Sequence, residues 1–249
     1  MAPPEEAGRE RAEDFRAEHN LGIAPIDDMV DVLEQAGLDV VVMRVPDNSG
    51  EAGLTMHDQV SGQTVVAVAA IPWSGRQRFT LAHELAHHLK GEHLSGEKLH
   101  GHRNAREMEA DSFARHLLLP MAAALAVCEE HPQDVAVQVD LLVRRFDVSP
   151  AVACLQLEKL DKRGVNRALL ELQRTRSAKQ LAATNGWLGL WQQRSAAAQQ
   201  PQGPRRLMAR LAAAYRDGMA PLSELADWSN TSREDLAAAL AETSSESGE

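Results

Sequence analysis

His83, Glu84 and His87 stand in the spacing H-E-x-x-H within the run Arg76-Gln77-Arg78-Phe79-Thr80-Leu81-Ala82-His83-Glu84-Leu85-Ala86-His87. On an α-helix, positions i and i+4 lie one turn apart on one face, so two imidazoles can converge on one metal ion. Glu84 lies about 100° round the helix from His83. It therefore flanks the ion instead of binding it, where it can take a proton from an attacking water. That is hydrolytic zinc chemistry with a base built in. The short motif also fits a plain solvated helix face, so a further ligand decides between the two.

Catalytic zinc keeps three protein ligands and one open position. Seven of the ten histidines fall between His83 and His116. His93 occupies the third-histidine place of the longer pattern H-E-x-x-H-x-x-G-x-x-H. That pattern needs glycine at position 90, where Lys90 stands, with Gly91 one residue late, so His93 is a minor candidate. The stronger source is residues 106–120. Glu107 and Glu109, two residues apart, point to nearly opposite sides of a helix, and only one can face the metal. Glu107 shares its side with Asp111, Ala114 and Leu118, beside an apolar strip of Ala110, Phe113 and Leu117. Glu109 falls with Ser112 and His116 on the side expected to face solvent. Glu107 is thus the expected third ligand. Asp111, one turn on, is placed to accept a hydrogen bond from a ligating imidazole and set its tautomer.

The paired segments Arg78-Phe79-Thr80-Leu81-Ala82-His83-Glu84-Leu85-Ala86-His87 and Glu107-Met108-Glu109-Ala110-Asp111-Ser112-Phe113-Ala114-Arg115-His116-Leu117-Leu118-Leu119-Pro120 resemble the ImmA/IrrE metallo-endopeptidases. That family's pattern is R-F-T-x-A-H-E-x-x-H, followed by E-x-E-A-N-x-F-A and an L-L-x-P end. The resemblance covers about residues 20 to 125. It implies zinc ligands at His83, His87 and Glu107 and the general base at Glu84, with Asp111 where asparagine is common. It also implies a gluzincin-like endopeptidase using Zn2+, with Mn2+ able to serve in activity. The implied task is limited cleavage of a helix-turn-helix repressor under stress or in mobile-element control. Arg78 and His116 are the candidates for substrate or transition-state contacts; Tyr215, the only tyrosine, lies far along the chain. The alternative is a DNA- or protein-binding transcriptional regulator that keeps the zinc fold as scaffold. The intact Glu84 argues against it, because a structural site needs ligands but no base.

These side chains need elements to hold them. Residues 25–37 carry Ile26, Met29, Val30 and Leu33 at helical spacing, with Asp27 and Asp28 in the first turn and Gly37 as a stop. Residues 38–45, 53–56 and 64–71 read as strands of a small antiparallel sheet, and the motif helix follows directly. Residues 92–104 form a polar, His-rich stretch expected to rim the cleft. Beyond Pro120 the pattern is helical throughout. Residues 137–155 have a helix-turn-helix-like shape with Ser149 as N-cap and Pro150 at the first position, and a second such pair is expected over 207–240. Neither second helix carries a basic excess, which favours structural hairpins over DNA readers.

The expected fold is α+β: a zincin-like peptidase core, small antiparallel sheet plus H-E-x-x-H helix, with an all-helical C-terminal region. Its expected division is a flexible N-terminus at 1–18, the peptidase domain at 19–130, and a helix-turn-helix-like region at 131–194. A linker at 195–204, a C-terminal helical region at 205–242 and a disordered tail at 243–249 complete it. The net charge of −10 is already held by residues 1–60, with 14 acidic and 4 basic side chains. Residues 162–206 carry 9 Lys or Arg against Glu171 alone. Such a segment fits a solvated basic surface, or contact with nucleic acid, unproven from sequence. Cys128 and Cys154 lack any framework spacing, so free thiols are expected. No stretch reaches the roughly 18 apolar residues of a membrane span and no signal-like apolar region follows the N-terminus. The expectation is a cytoplasmic protein with a protein substrate and no membrane partner.

Overall fold

A computed structural model describes residues 3–45, 53–92, 104–132, 134–160, 167–229 and 231–238. The first helix, α1 (Pro4–Glu18), opens with proline at its first position and Glu5 and Glu6 in its first turn, where the helix dipole favours both. It corrects the expectation of a flexible N-terminus. Gly8, Ala12 and Phe15 recur at helical spacing and are buried. They pack on α4 (Ala105–Leu118), so tertiary burial overrides a polar composition. Arg16, buried near the end of α1, donates to the carbonyls of Gly22 at 2.7 Å and Leu117, tying the following loop to the end of α4.

The helix expected over 25–37 is shorter: α2 spans Met29–Gln35, and Asp28 is its N-cap, accepting from Val30 and Asp31 backbone N–H. Gly37 follows at φ +92°, a left-handed turn suited to glycine. Three strands come next, β1 (Leu38–Met43), β2 (Gly53–His57) and β3 (Thr64–Ala69). Their order is β1-β3-β2, with β2 antiparallel and β1 parallel to β3. The sheet is therefore mixed, not antiparallel. The chain reaches the far edge before a hairpin through Asp58 and Gly62 brings it back between its neighbours. Strand propensity carries no information about that order. In β1 and β3 the alternate residues Leu38, Val40, Val42 and Val66, Val68 are buried, as one packed face requires.

The helix α3 (Ser74–Leu89) packs against α4 and the sheet. Then follow α5 (Met121–Glu130), α6 (Val135–Phe146), α7 (Pro150–Leu160), α8 (Arg167–Arg174), α9 (Ala178–Thr184), α10 (Leu188–Ala198), α11 (Arg205–Arg216) and α12 (Leu222–Ser229). A single apolar cluster runs from Ala12 and Phe15 through Val40, Leu85 and Leu117 to Leu142, Leu157 and Trp187. The core is thus continuous across residue 130. Residues 195–204, expected as a linker, begin inside α10 and end as a docked strap. Gln202 exchanges two 2.8 Å backbone hydrogen bonds with Val42, capping the β1 edge of the sheet. Cys154 is buried, with Sγ 3.6 Å from the Leu170 carbonyl oxygen. Among the described residues no single helix is long and apolar enough to cross a membrane.

Candidate metal centre

The centre is built where α3 crosses α4. Leu81, Ala82, Leu85 and Ala86 bury one face of α3, which leaves His83 and His87 on the flank that looks at α4. Glu107, in the first turn of α4, faces them; Asn104 fixes that turn by accepting from the backbone N–H of Arg106 and Glu107. The Nε2 atoms of His83 and His87 are 3.0 Å apart. Glu107 places Oε2 3.3 Å from His83 Nε2 and Oε1 3.6 Å from His87 Nε2. Four-coordinate zinc with bonds near 2.0–2.1 Å sets its ligand atoms roughly 3.3 Å apart. The triangle has the size such an ion requires, and these three residues form a group able to hold a metal.

Both imidazoles are oriented from behind. His83 Nδ1 lies 3.0 Å from Asp111 and His87 Nδ1 lies 2.6 Å from Glu92, so each ring has Nε2 free for a metal. Burial disfavours a charged His83 ring, but Asp111, Glu84 and Glu107 outweigh it and raise its pKa. Burial also pushes Glu92 up, whereas His87 and Lys90 pull it below the ordinary carboxylate range. Four carboxylates, Glu84, Glu92, Glu107 and Asp111, thus gather at one place, which favours a dication over an empty site. Lys90 moderates that charge from the rim, bridging Glu92 at 3.0 Å and Glu109 at 2.9 Å.

Glu84 is 4% exposed, and Thr55 Oγ1 on β2 donates to its Oε2 at 2.5 Å. The contact depends on a close approach of strand and helix: a Cβ on Gly53 would lie 2.4 Å from Thr80 Cγ2 and 3.5 Å from Glu84 Oε1. Sequence reasoning missed both Thr55 and Glu92. Thr55 left no signal, being 29 residues from its partner on a strand whose neighbours were unknown. Glu92 left a weak one: Gly91, the helix stop, takes φ +66° and turns the chain so that the next carboxylate reaches His87.

The remaining candidates lie elsewhere. Arg78 donates to the carbonyls of Ile26 at 2.6 Å and Asp27 at 3.3 Å and has Nε 3.8 Å from Asp147, which anchors the entry to α2. His116 is 2% exposed and contacts Glu5 and Gln156. The face of α4 expected to meet solvent is covered by α1: Glu109 pairs with Arg11 at 2.9 Å and Ser112 donates to the Glu5 carbonyl at 2.7 Å. His93 and the cleft rim beyond Glu92 lie outside the described residues.

A family model described as peptidase M78, the IrrE N-terminal-like domain, matches residues 33–158, half of the chain. The chain belongs to the IrrE N-terminal-like peptidase family. That membership gives the matched residues a metallopeptidase-like fold. No curated protein matches. A solved structure, a Mycobacterium tuberculosis transcriptional regulator, is similar at 22% identity and TM-score 0.43. The match covers 67% of this chain and 54% of that one, so the chain spans about half the length of the regulator.

Proposed function

We propose that this IrrE N-terminal-like protein is a zinc-dependent endopeptidase, with His83, His87 and Glu107 as metal ligands, Glu84 as general base and Asp111 as the partner that orients His83. The observation that carries this reading is Glu84 itself: a buried carboxylate beside an arranged ligand triangle, bonded to Thr55 and to no cation among the described residues. A structural zinc site has no use for it. Zinc held there would polarise the scissile carbonyl and lower the pKa of a water. Glu84 takes the water's proton and passes it to the leaving amine. Thr55 holds the carboxylate in one rotamer through Oε2 and leaves Oε1 for that exchange. Manganese suits the same mixed nitrogen and oxygen donors.

The substrate arrives most simply as an added strand. Gln202 already caps the β1 edge, whereas β2, the opposite edge, carries Thr55 between the exposed side chains of Leu54 and Met56. An extended peptide laid along β2 gains main-chain hydrogen bonds and passes Glu84. Limited cleavage of a helix-turn-helix repressor in the cytoplasm fits such a one-segment site and the resemblance to ImmA/IrrE peptidases. The regulator alternative has less support, because α7, the candidate reading helix, exposes only Lys159. The test is a proteome-derived peptide library with added zinc or manganese. Wild type cuts, and Glu84→Gln, at equal metal content, cuts on the order of 10²–10⁴ slower. Equal cleavage by the two overturns the reading.

A further inference from the structure

A second cavity lies at the opposite end of α3 from the metal ligands. It is half-open, with a volume of about 660 Å³, and forms where the first turn of α3 meets the α6–α7 turn and helices α8 to α10. Three of the four tryptophans, Trp73, Trp187 and Trp191, line it. Trp187 is buried, and its indole N–H is occupied by Asp140 at 2.8 Å, so it offers the cavity only an apolar ring. Trp73 is 54% exposed at the rim. A large aromatic left in water beside a cavity is unusual for a solvated surface and common at a binding site.

The charges around this cavity are one-sided. Arg174 is neutralised by Glu158 at 2.6 Å and Glu171 at 3.3 Å. Arg76, Arg176 and Lys179 also line it, and among the described residues none has a carboxylate within ion-pair reach. Arg176 leans on neutral groups, Thr184 Oγ1 at 2.9 Å and Gln173 Oε1 at 3.5 Å. The Lys179 ammonium sits 5.3 Å over the Trp191 ring. Asp147 is the one carboxylate among the described lining residues and is already engaged by Ser74 Oγ at 2.8 Å and by Arg78 and Arg194 at 3.8 Å. The smaller cavity of about 270 Å³ beside Arg78 is different. Its arginines are matched by acids, Arg205 with Asp28 and Arg145 with Glu130.

We propose that the tryptophan cavity binds a small molecule with a flat apolar body and an anionic head, the body against Trp187 and Trp191 and the head among Arg76, Arg176 and Lys179. The volume falls within the range of small-molecule sites and exceeds what a lone inorganic anion fills. Guanidinium groups recognise carboxylate, sulfonate or phosphate oxygens through paired hydrogen bonds, while the rings supply stacking area. Bound there, the ligand touches the first turn of the helix that carries His83 about 12 Å further on.

The probe is 8-anilinonaphthalene-1-sulfonate, titrated into the full chain with tryptophan-to-dye energy transfer as readout. Saturation at one equivalent is expected, with N-phenyl-1-naphthylamine, the same rings without the sulfonate, binding roughly tenfold more weakly or worse. The double variant Arg176→Gln, Lys179→Gln loses roughly tenfold in sulfonate affinity. Exposed Arg76→Gln loses affinity as well and serves should the double variant melt early. The pair Arg210→Gln, Arg216→Gln on α11, outside the cavity lining, leaves affinity unchanged. Equal binding of the two dyes, several weak sites, or an equal loss in the α11 pair would overturn the proposal.

Discussion

Glu107 and Glu109 differ by two positions, and their surroundings differ completely. Glu107 closes the ligand triangle with His83 and His87, whereas Glu109 is shared by Arg11 and Lys90. Glu107→Ala should therefore abolish stoichiometric metal uptake, measured by elemental analysis after dialysis. Glu109→Ala should retain the metal and lose a modest amount of stability, about 1 kcal/mol or less, because its ion pairs are partly solvated. Loss of metal only in Glu109→Ala would sink the assignment. Glu92 acts one step further out, through His87 Nδ1. Carboxylates in that position orient a ligand and raise its basicity, so Glu92→Gln should weaken metal affinity about 10- to 100-fold. Competition with a chromogenic chelator reads that shift directly, and unchanged affinity would show that the contact is incidental.

The pairing of α1 with α4 converts a polar segment into part of the core. Its tightest point is Gly8, where a Cβ would lie 2.4 Å from the Glu109 carbonyl oxygen and 2.7 Å from Ser112 Cβ. Alanine favours an exposed helix interior over glycine by about 1 kcal/mol, whereas pushing two backbones apart costs about 1–3 kcal/mol. The clash is with backbone and a Cβ, which have no rotamer of escape, so packing should win. Gly8→Ala is expected to lower the melting temperature, and a rise would mean that α1 does not dock as described. The same interface explains why Ser112 and His116 are buried although their spacing reads as a solvent face.

Across the whole molecule, His116 joins three elements: α4 carries it, Glu5 of α1 lies 3.2 Å from it, and Gln156 of α7 donates to its Nδ1 at 3.2 Å. Burial, helped by Arg115, pushes His116 down to about 4. Burial would raise Glu5, but hydrogen bonds from Arg115 and Lys159 dominate and hold it at about 2. Both folded values lie below the ordinary ones, 6.5 for His116 and 4.5 for Glu5. As pH falls the unfolded chain takes up each proton first, so stability declines from pH 6.5 towards 4 through His116 and from 4.5 towards 2 through Glu5. Denaturant titrations of the metal-free protein at pH 7 and pH 4.5 should show His116→Gln losing less stability across that interval than wild type. The difference should be at most on the order of 2–3 kcal/mol. Identical pH dependence would remove His116 from the acid transition.

The grouping of His83, His87 and Glu107 was legible because it rests on local periodicity. The spacing of His83, Glu84 and His87, and the phase that separates Glu107 from Glu109, follow from 3.6 residues per turn alone, and the apolar stripe of α3 tells which flank is free. Thr55 on Glu84 and the carboxylate of Glu92 on His87 needed three dimensions, since each depends on how far a strand or turn is carried back towards the helix. The parallel pairing of β1 with β3, the burial of α1 and the docking of Gln202 on β1 are likewise tertiary outcomes. Propensity names an element, but only burial against a particular partner decides its neighbour, its order and which of its faces meets water. The sequence by itself determined a helix pair that can bring His83, His87 and Glu107 together with Glu84 alongside; the tertiary structure decided that Thr55 holds Glu84, that Asp111 and Glu92 orient the imidazoles, and that a tryptophan-lined cavity ringed by cations lies at the other end of the same helix.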